Sequence, residues 1–459
     1  MNSCLKKIMI CAAVAVGSVT GMSAQTTYSG YFLDNYDYRF QMNPAFGNEK
    51  GFVSFPALGN LNVNFHGNLH VKDVIYNLNG NTVLFTNPGI STSEAMSRFG
   101  DKNRFGTIEK IDLITVGFNA FGGYNAVSLS AVASADVSVP GAFFSLAKEG
   151  ISNATYDIEN MFGNAHAYAQ LALNHSRDIT QVPGLRVGAS LKVLLGGGNV
   201  DFRFNEAKLI LGEDNWSILS NADIYTSIGG FRYDMKHSKQ TGKEYVSGGN
   251  VDDGYKLSGF GLGLDLGAEY EWNDFKFSAA VLDLGFISWG STQWASTNGT
   301  KTFETDKYTF NANGDAANSF DNEWDRLTDD LAQLYQLDNN GELSSRTRAL
   351  AATLNFAAQW ELPEYRRLHF GLLNSTHING PYTWTQFRLS ANVNPVDCFS
   401  ADVNLAAGTY GVGFGWLLNL HLTGFNLFAG MDHTLGKLSK QGVPLSSNGA
   451  FNFGINFPF

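Results

Sequence analysis

The sequence predicts an all-β fold, a transmembrane antiparallel up-and-down β-barrel. Apolar and polar residues alternate along the last ten residues, which put on one face Phe451, Phe453, Ile455, Phe457 and Phe459. Period two is the strand signature, and such an apolar edge suits lipid better than water. The 459 residues include 50 Gly and 35 Phe, but only 16% are charged. This composition favours many short strands, tight turns and lipid-facing aromatic residues.

The N-terminus predicts export by a cleavable signal peptide over residues 1–24. Lys6 and Lys7 form its positive region, 8–19 its apolar core, and Met22-Ser23-Ala24 a cleavage site. No other stretch of about 18 apolar residues predicts a transmembrane helix. Cys398 would remain as the sole cysteine of the exported chain, so no internal disulfide is expected. The excess of acidic residues (42 against 31 basic) argues against nucleic acid as a partner.

The strands then follow one another to the C-terminus. The clearest has Leu262, Leu264 and Leu266 on one face and Asp265 with Glu269 on the other. It exceeds the roughly 9–11 residues that a tilted membrane strand needs. A direct count gives 16 strands, near 61–66, 107–121, 125–138, 165–177, 185–195, 198–211, 216–228, 260–272, 275–289, 346–360, 366–376, 382–394, 398–408, 409–418, 422–432 and 448–459.

The connections fall into two length classes, as they do in outer-membrane barrels. If the last strand runs inward, the long connections all lie outside the cell. The short ones then all lie in the periplasm, whereas a β-sandwich, the alternative fold, gives no reason for this asymmetry. Short helices are expected in the external loops, one of them capped by Ser91 and Glu94. The long connections are 70–106, 139–164, 229–256, 290–345 (with a helix over 321–337) and 433–447, and the short ones 122–124, 212–215, 273–274, 362–365 and 394–397.

One short element carries a family resemblance. Asn43-Pro44-Ala45 is a turn between the signal peptide and the first strand; alone, it could simply lead into that strand. In this position it resembles the element of FadL-type and PorV-type outer-membrane barrels of Gram-negative bacteria. The chain looks like an uncharacterised branch of that superfamily. The resemblance also covers the stretch 282–287 and the terminal aromatic strand.

The resemblance implies 14 wall strands rather than 16, with the pair between 198 and 228 leaving the wall. It implies that residues 25–50 fold into the barrel mouth as a hatch, with Asn43, Pro44 and Ala45 as its turn, and that 51–459 form the barrel. It also implies that the barrel-assembly machinery reads the terminal residues Phe457 and Phe459.

The predicted inner face carries scattered charges. They indicate either a paired network that fills the lumen, which is ordinary in barrels, or a solute-binding constellation. The nine histidines show no helical His-x-x-x-His pair, and no Ser stands out as a nucleophile. No catalytic residue, metal site or cofactor is therefore expected. The charges are Arg186, Lys192, Asp265, Glu269, Arg388 and Asp402.

These observations predict an outer-membrane barrel, not an enzyme, for passive passage of a hydrophobic or amphipathic small molecule, as the FadL resemblance implies. The alternative is a barrel that binds proteins during secretion or surface assembly, as PorV-type barrels do. A lipid-modifying enzyme is the second alternative. The expected partners are outer-membrane lipid, the assembly machinery and either a hydrophobic ligand or a secreted or surface protein.

Overall fold

The chain folds into a closed antiparallel barrel. The computed structural model describes residues 28–150, 154–212, 215–237, 242–304, 324, 326, 327, 336–433 and 448–459. The predicted signal peptide over 1–24 lies outside this range. The strands are β1 (Phe52–Ser54), β2 (Asn60–Gly67), β3 (Ile75–Leu78), β4 (Asn81–Leu84), β5 (Lys102–Ala120), β6 (Gly123–Pro140), β7 (Ala154–Asp157), β8 (Phe162–Asp178), β9 (Leu185–Leu211), β10 (Asn215–His237), β11 (Glu244–Lys256), β12 (Gly259–Trp272), β13 (Phe275–Glu304), β14 (Asp338–Ala349), β15 (Ala352–Glu361), β16 (Leu368–Ile378), β17 (Trp384–Val396), β18 (Phe399–Gly408), β19 (Gly411–Leu422), β20 (Phe425–His433) and β21 (Gly449–Pro458).

Within the described ranges the wall has 14 strands, with further strands outside it. The first wall strand is interrupted and consists of β1 followed by β2; the others are β5, β6, β8, β9, β12, β13 and β15 to β21, each paired with the next. The sequence count of 16 is therefore wrong, and the 14 implied by the resemblance is confirmed. We call the end that holds the C-terminus the lower end. Its connections are short: 121–122, 179–184, 273–274, 362–367, 397–398 and 423–424.

The barrel closes between its last strand and its first. Phe52 pairs with Pro458 and Leu61 with Phe453, and the backbone N–H of Phe459 donates to the carbonyl of Gly51 at 2.9 Å. Every backbone group of such a wall can be paired without water, which is the condition for crossing a bilayer with strands.

The outer face of the wall is apolar, as the alternation predicts. On β12, Leu262, Leu264 and Leu266 are 38–46% exposed, whereas the intervening Asp265 is 2% exposed. An apolar outer band of this kind is stable against hydrocarbon and unstable against water. Among the described residues, no helix combines the length and the hydrophobicity needed to cross a membrane.

Three strands continue far above the wall and form a sheet that we call the crown. β9 has 27 residues and β13 has 30, although about 9–11 suffice to span the membrane. Above the wall, residues 198–211 of β9 pair with β10, and β10 pairs with 292–304 of β13. β7, β11 and β14 add to this sheet.

The crown corrects three predictions. The turn near 212–215 lies at the top of the crown rather than in the periplasm, because β9 runs without a break from 185 to 211. The predicted loop 229–256 is largely a β-hairpin, and much of 290–345 is strand. The helix expected over 321–337 falls almost wholly outside the described residues.

Three short helices lie in the connections at the upper end. They are α1 (Val71–Val74), α2 (Thr92–Met96) and α3 (Gly141–Glu149). Ser91 caps α2 by accepting a hydrogen bond from the backbone N–H of Glu94 at 3.1 Å, as predicted. Phe99 and Phe144 stack with ring centroids 4.0 Å apart, so these loops have a small apolar core of their own.

Candidate functional site: a lumen filled by the N-terminal segment

Residues 28–50 lie inside the lower half of the barrel; we call them the hatch. The segment has no strand periodicity, but it is rich in aromatic residues, and burying them against the wall stabilises its irregular backbone. Its Tyr31, Tyr36 and Tyr38 are 0% exposed and pack with Phe428 and Leu417 of the wall. The lower lumen is thus a hydrophobic core enclosed by a membrane barrel.

Polar residues of the wall hold the hatch. The hydroxyls of Tyr36 and Tyr38 donate to the side chains of Asn452 and Asn456 on β21, at 3.1 and 3.0 Å. These asparagines are the polar face of the C-terminal strand. The strand that closes the barrel therefore also binds the plug.

The first residues of the hatch are bound by a single carboxylate on β20. Asp432 accepts hydrogen bonds from the backbone N–H groups of Tyr28 at 2.7 Å and Ser29 at 2.8 Å. Arg388 of β17 lies 3.3 Å from the same carboxylate. Charge-assisted bonds of this kind are about twice as strong as neutral ones.

The Asn43-Pro44-Ala45 turn lies against two wall glycines. Asn43 Oδ1 accepts from the backbone N–H of Ala45 at 2.9 Å, and its Nδ2 donates to the carbonyl of Ala268 at 3.1 Å. Gly267 and Gly188 are cross-strand neighbours. A methyl group on Gly267 would lie 2.0 Å from Asn43 Oδ1, and one on Gly188 would lie 2.0 Å from the carbonyl oxygen of Pro44. The turn therefore fits only because both positions lack a side chain.

Two of the six predicted lumen charges meet in a buried cluster. Lys192 Nζ lies 2.8 Å from Asp265 and 2.6 Å from Asp283. Asp283 has a positive φ of 58° and forms a bulge in β13, which brings its backbone N–H to Asp265 at 2.7 Å. Sequence reasoning missed Asp283 as a charge partner, because a bulge interrupts the alternation from which faces are assigned.

The other four charges also lie inside. Arg388 and Asp402 both bond to the Asn404 side chain. Arg186 donates to the carbonyl of Ala45 in the hatch at 2.8 Å. Glu269 is half-buried near the lower end. The six residues do not form one site, since they are spread along the lumen and most bond to the wall or the hatch.

The upper end of the lumen is narrowed by wall side chains. His66 Nε2 lies 3.0 Å from Asp136, and its ring centroid lies 6.2 Å from that of Trp384 and 5.8 Å from that of Tyr410. Strands far apart in the wall supply these groups, so only closure of the barrel brings them together. The spacing of the histidines in the sequence gave no signal for this.

The crown has a charged and aromatic cluster. Asp201 pairs with Arg346 and, at 2.5 Å, with Arg348. Arg346 lies over the ring of Tyr225 at 4.0 Å, and Tyr225 stacks on Trp294. Burial raises the pKa of Asp201, but the two guanidinium groups together outweigh it and hold that pKa below its ordinary value. The crown is therefore tied together by charge as well as by strand pairing.

The described residues contain one Ser–His contact relevant to the enzyme alternative. Ser400 Oγ lies 3.2 Å from His421 Nε2. Ser400 is 0% exposed, and no carboxylate is recorded as a partner of His421. A nucleophile needs both access and an oriented base, so this pair is structural. Across the described ranges, no group of three or more His, Cys, Asp or Glu side chains is placed to hold a metal.

The closed wall and the apolar outer band define an outer-membrane β-barrel protein. The chain belongs to the family described as "Family of unknown function (DUF5723)", whose match covers residues 44–432. A search of curated proteins finds no match.

Solved structures to which the chain is similar include three channels. They are the toluene transporter TbuX of Ralstonia pickettii (9% identity, 92% of each chain, TM-score 0.39), the P. putida toluene transporter TodX (8%, 96% of this chain and 95% of that one, 0.38) and a Pseudomonas aeruginosa FadL homologue (10%, 95% and 98%, 0.41). They are FadL-family barrels, the group that the sequence resembles.

Proposed function

We propose that this protein is a gated outer-membrane passage for a hydrophobic or amphipathic small molecule, with the hatch as its gate. The observation that carries the proposal is that the chain's own N-terminal segment fills the lower lumen. A wall that served only as an anchor would not need a separate segment to close it. Passage is passive, and the molecule crosses when the hatch shifts.

The contacts that hold the hatch support a reversible gate. Its start is bound by one carboxylate, and its tyrosines bond to neutral asparagines. Each neutral hydrogen bond contributes about 0.5–1.5 kcal/mol, so part of the hatch can detach without unfolding the wall. The backbone ladder of the wall does not pass through the hatch and stays paired when it moves.

Deleting residues 25–45 tests the gate. We expect a folded, heat-modifiable barrel whose liposomes swell faster in small polar solutes than those with the full-length protein. Adding a peptide of residues 25–45 should restore the slow rate, whereas a scrambled peptide of the same composition should not. An inserted barrel with unchanged permeability would refute the gate. A truncated chain that never inserts would instead assign the segment a role in folding.

A second candidate function is favoured by the crown. A simple pore needs no sheet that stands above the membrane, whereas a protein-binding platform does. Replacing residues 198–256 by a four-residue turn would join β9 directly to β12. A platform predicts that permeability stays normal and that secreted proteins no longer co-purify with the barrel. Loss of permeability control with unchanged co-purification would speak against the platform.

A further inference from the structure

A cleft at the upper end of the lumen has aromatic rings on two sides. His66 of β2, Trp384 of β17 and Tyr410, between β18 and β19, belong to its lining. Their ring centroids lie 5.8 to 6.2 Å from that of His66. His377, outside the lining, stacks on Trp384 at 5.5 Å and so holds the indole in place. The spacing suits a flat molecule between rigid rings.

Two buried polar atoms of this lining lack a hydrogen-bond partner among the described residues. They are Nδ1 of His66 and Nε1 of Trp384, and the two residues are only 6% and 5% exposed. A buried polar atom left unpaired costs about 1–3 kcal/mol. Two of them in one cleft indicate that a bound group completes the site.

The partners of His66 define which group that is. Asp136 accepts from His66 Nε2 at 3.0 Å and also binds the side-chain amide of Asn379 at 3.3 Å. The neutral ring then carries its proton on Nε2, which leaves Nδ1 as an acceptor, whereas the indole N–H of Trp384 can only donate. One hydroxyl can accept from Trp384 and donate to His66. The ring separation of 6.2 Å leaves room for a single oxygen atom between them.

The charges around the cleft favour an uncharged molecule. No Lys or Arg belongs to the described lining, while Asp432 does, so an anion is disfavoured. Asp432 already accepts from Tyr28 and Ser29, and Asp136 is bound by His66 and Asn379. A cation therefore finds neither a free carboxylate nor a use for the Trp384 N–H.

We propose that this cleft binds an uncharged molecule with one flat apolar ring and a hydroxyl group, of the phenol type. The inference rests on the proposed function, because it names the class of molecule that the passage takes up at its upper end. The hydroxyl completes His66 and Trp384, and the ring packs between the aromatic side chains.

The test is direct binding to the full-length protein in lipid nanodiscs, with empty discs as the blank. Four probes separate the chemistry: 4-methylphenol, toluene, 4-methylbenzoate and glucose. We expect saturable binding of 4-methylphenol, measured by saturation-transfer NMR and calorimetry. Toluene, which lacks the hydroxyl, should bind about tenfold more weakly. The benzoate and glucose should not bind detectably. Equal binding of toluene and 4-methylphenol would overturn the assigned role of the hydroxyl.

Two variants locate the binding. Trp384→Phe keeps an aromatic ring but removes the N–H, and should weaken 4-methylphenol binding about tenfold. The matched control Trp289→Phe alters another buried tryptophan, which packs with Leu194 and Ile287, and should leave binding unchanged. If Trp384→Phe does not fold, Thr409→Trp on the exposed rim decides, since it should block the cleft without touching the core.

Binding is measured without flux, so the two proposals can fail separately. Saturable binding in a barrel whose hatch deletion changes nothing would keep the cleft and reject the gate. A working gate with no 4-methylphenol binding, or with binding unaffected by Trp384→Phe and Thr409→Trp, would reject the cleft.

Discussion

The two ends of the lumen are closed in different ways. The lower end is closed by the hatch, a continuous segment that brings its own aromatic core and docks on wall glycines. The upper end is narrowed by side chains of the wall, among them His66 and Trp384. The lower closure can be removed as one unit, whereas the upper one changes when single side chains move. A molecule that crosses therefore meets first a site that can recognise it and then a plug that must shift.

The largest effect is expected where the two halves meet, at Lys192. A small polar cavity there is lined by Phe40, Gln41, Lys192 and Asp265. Lys192→Met leaves Asp265 and Asp283 buried without their cation, which should cost about 3–5 kcal/mol. Unfolding in urea, followed by the gel shift between folded and boiled protein, measures this loss.

The matched control is Lys102→Met at the exposed start of β5, where we expect a change within about 0.5 kcal/mol. Equal loss in both variants would show that the buried ion cluster does not join the halves.

The next effect concerns the docking of the hatch turn. Gly267→Ala forces a methyl group into Asn43, so it should destabilise the docked hatch by about 1–3 kcal/mol and raise permeability. The control Gly263→Ala lies on the same face of β12, where the nearest atom is 3.3 Å from the added methyl group.

A double variant sharpens this test. In the chain that lacks residues 25–45, Gly267→Ala should no longer matter, because its partner is absent. If it destabilises both chains equally, the glycine serves the wall and not the hatch.

A moderate effect is expected at Asp432, which contacts both closures. Asp432→Asn weakens the charge-assisted bonds to Tyr28 and Ser29, at a cost of about 1–2 kcal/mol. A cysteine placed at Ser29 should then react faster with a thiol reagent added from the lower side. Asp178→Asn, whose side chain is 77% exposed, is the control. An unchanged labelling rate would mean that Asp432 does not hold the hatch.

The smallest effect on the barrel is expected in the crown. Because the pKa of Asp201 is lowered, its ionised form stabilises the crown above the ordinary Asp range, and this contribution is lost as the pH falls through the lowered pKa. Asp201→Asn should speed hydrogen exchange over 199–228 and leave β17 unchanged. Acid should do the same to the natural chain but add little in the variant. Faster exchange in β17 as well would show that the crown and the wall unfold together.

Much of the wall could be predicted from the sequence. Alternation along β12 and along 450–459 assigned the lipid and lumen faces, because a strand in a bilayer must separate them residue by residue. It could not give the strand number. Residues 198–228 alternate as wall strands do, and only their pairing with β10 and β13 above the barrel places them in the crown.

The interior was decided by tertiary structure. Sequence alone determined that the lumen face is polar, and the resemblance at Asn43 implied a hatch. Which partners meet depends on closure of the wall: Lys192 reaches Asp283 only through the bulge in β13, and His66 meets Trp384 only across the lumen. Local patterns report what one strand exposes on each side, whereas contacts across a barrel join residues hundreds of positions apart. That is why the faces were legible in the sequence and the site was not.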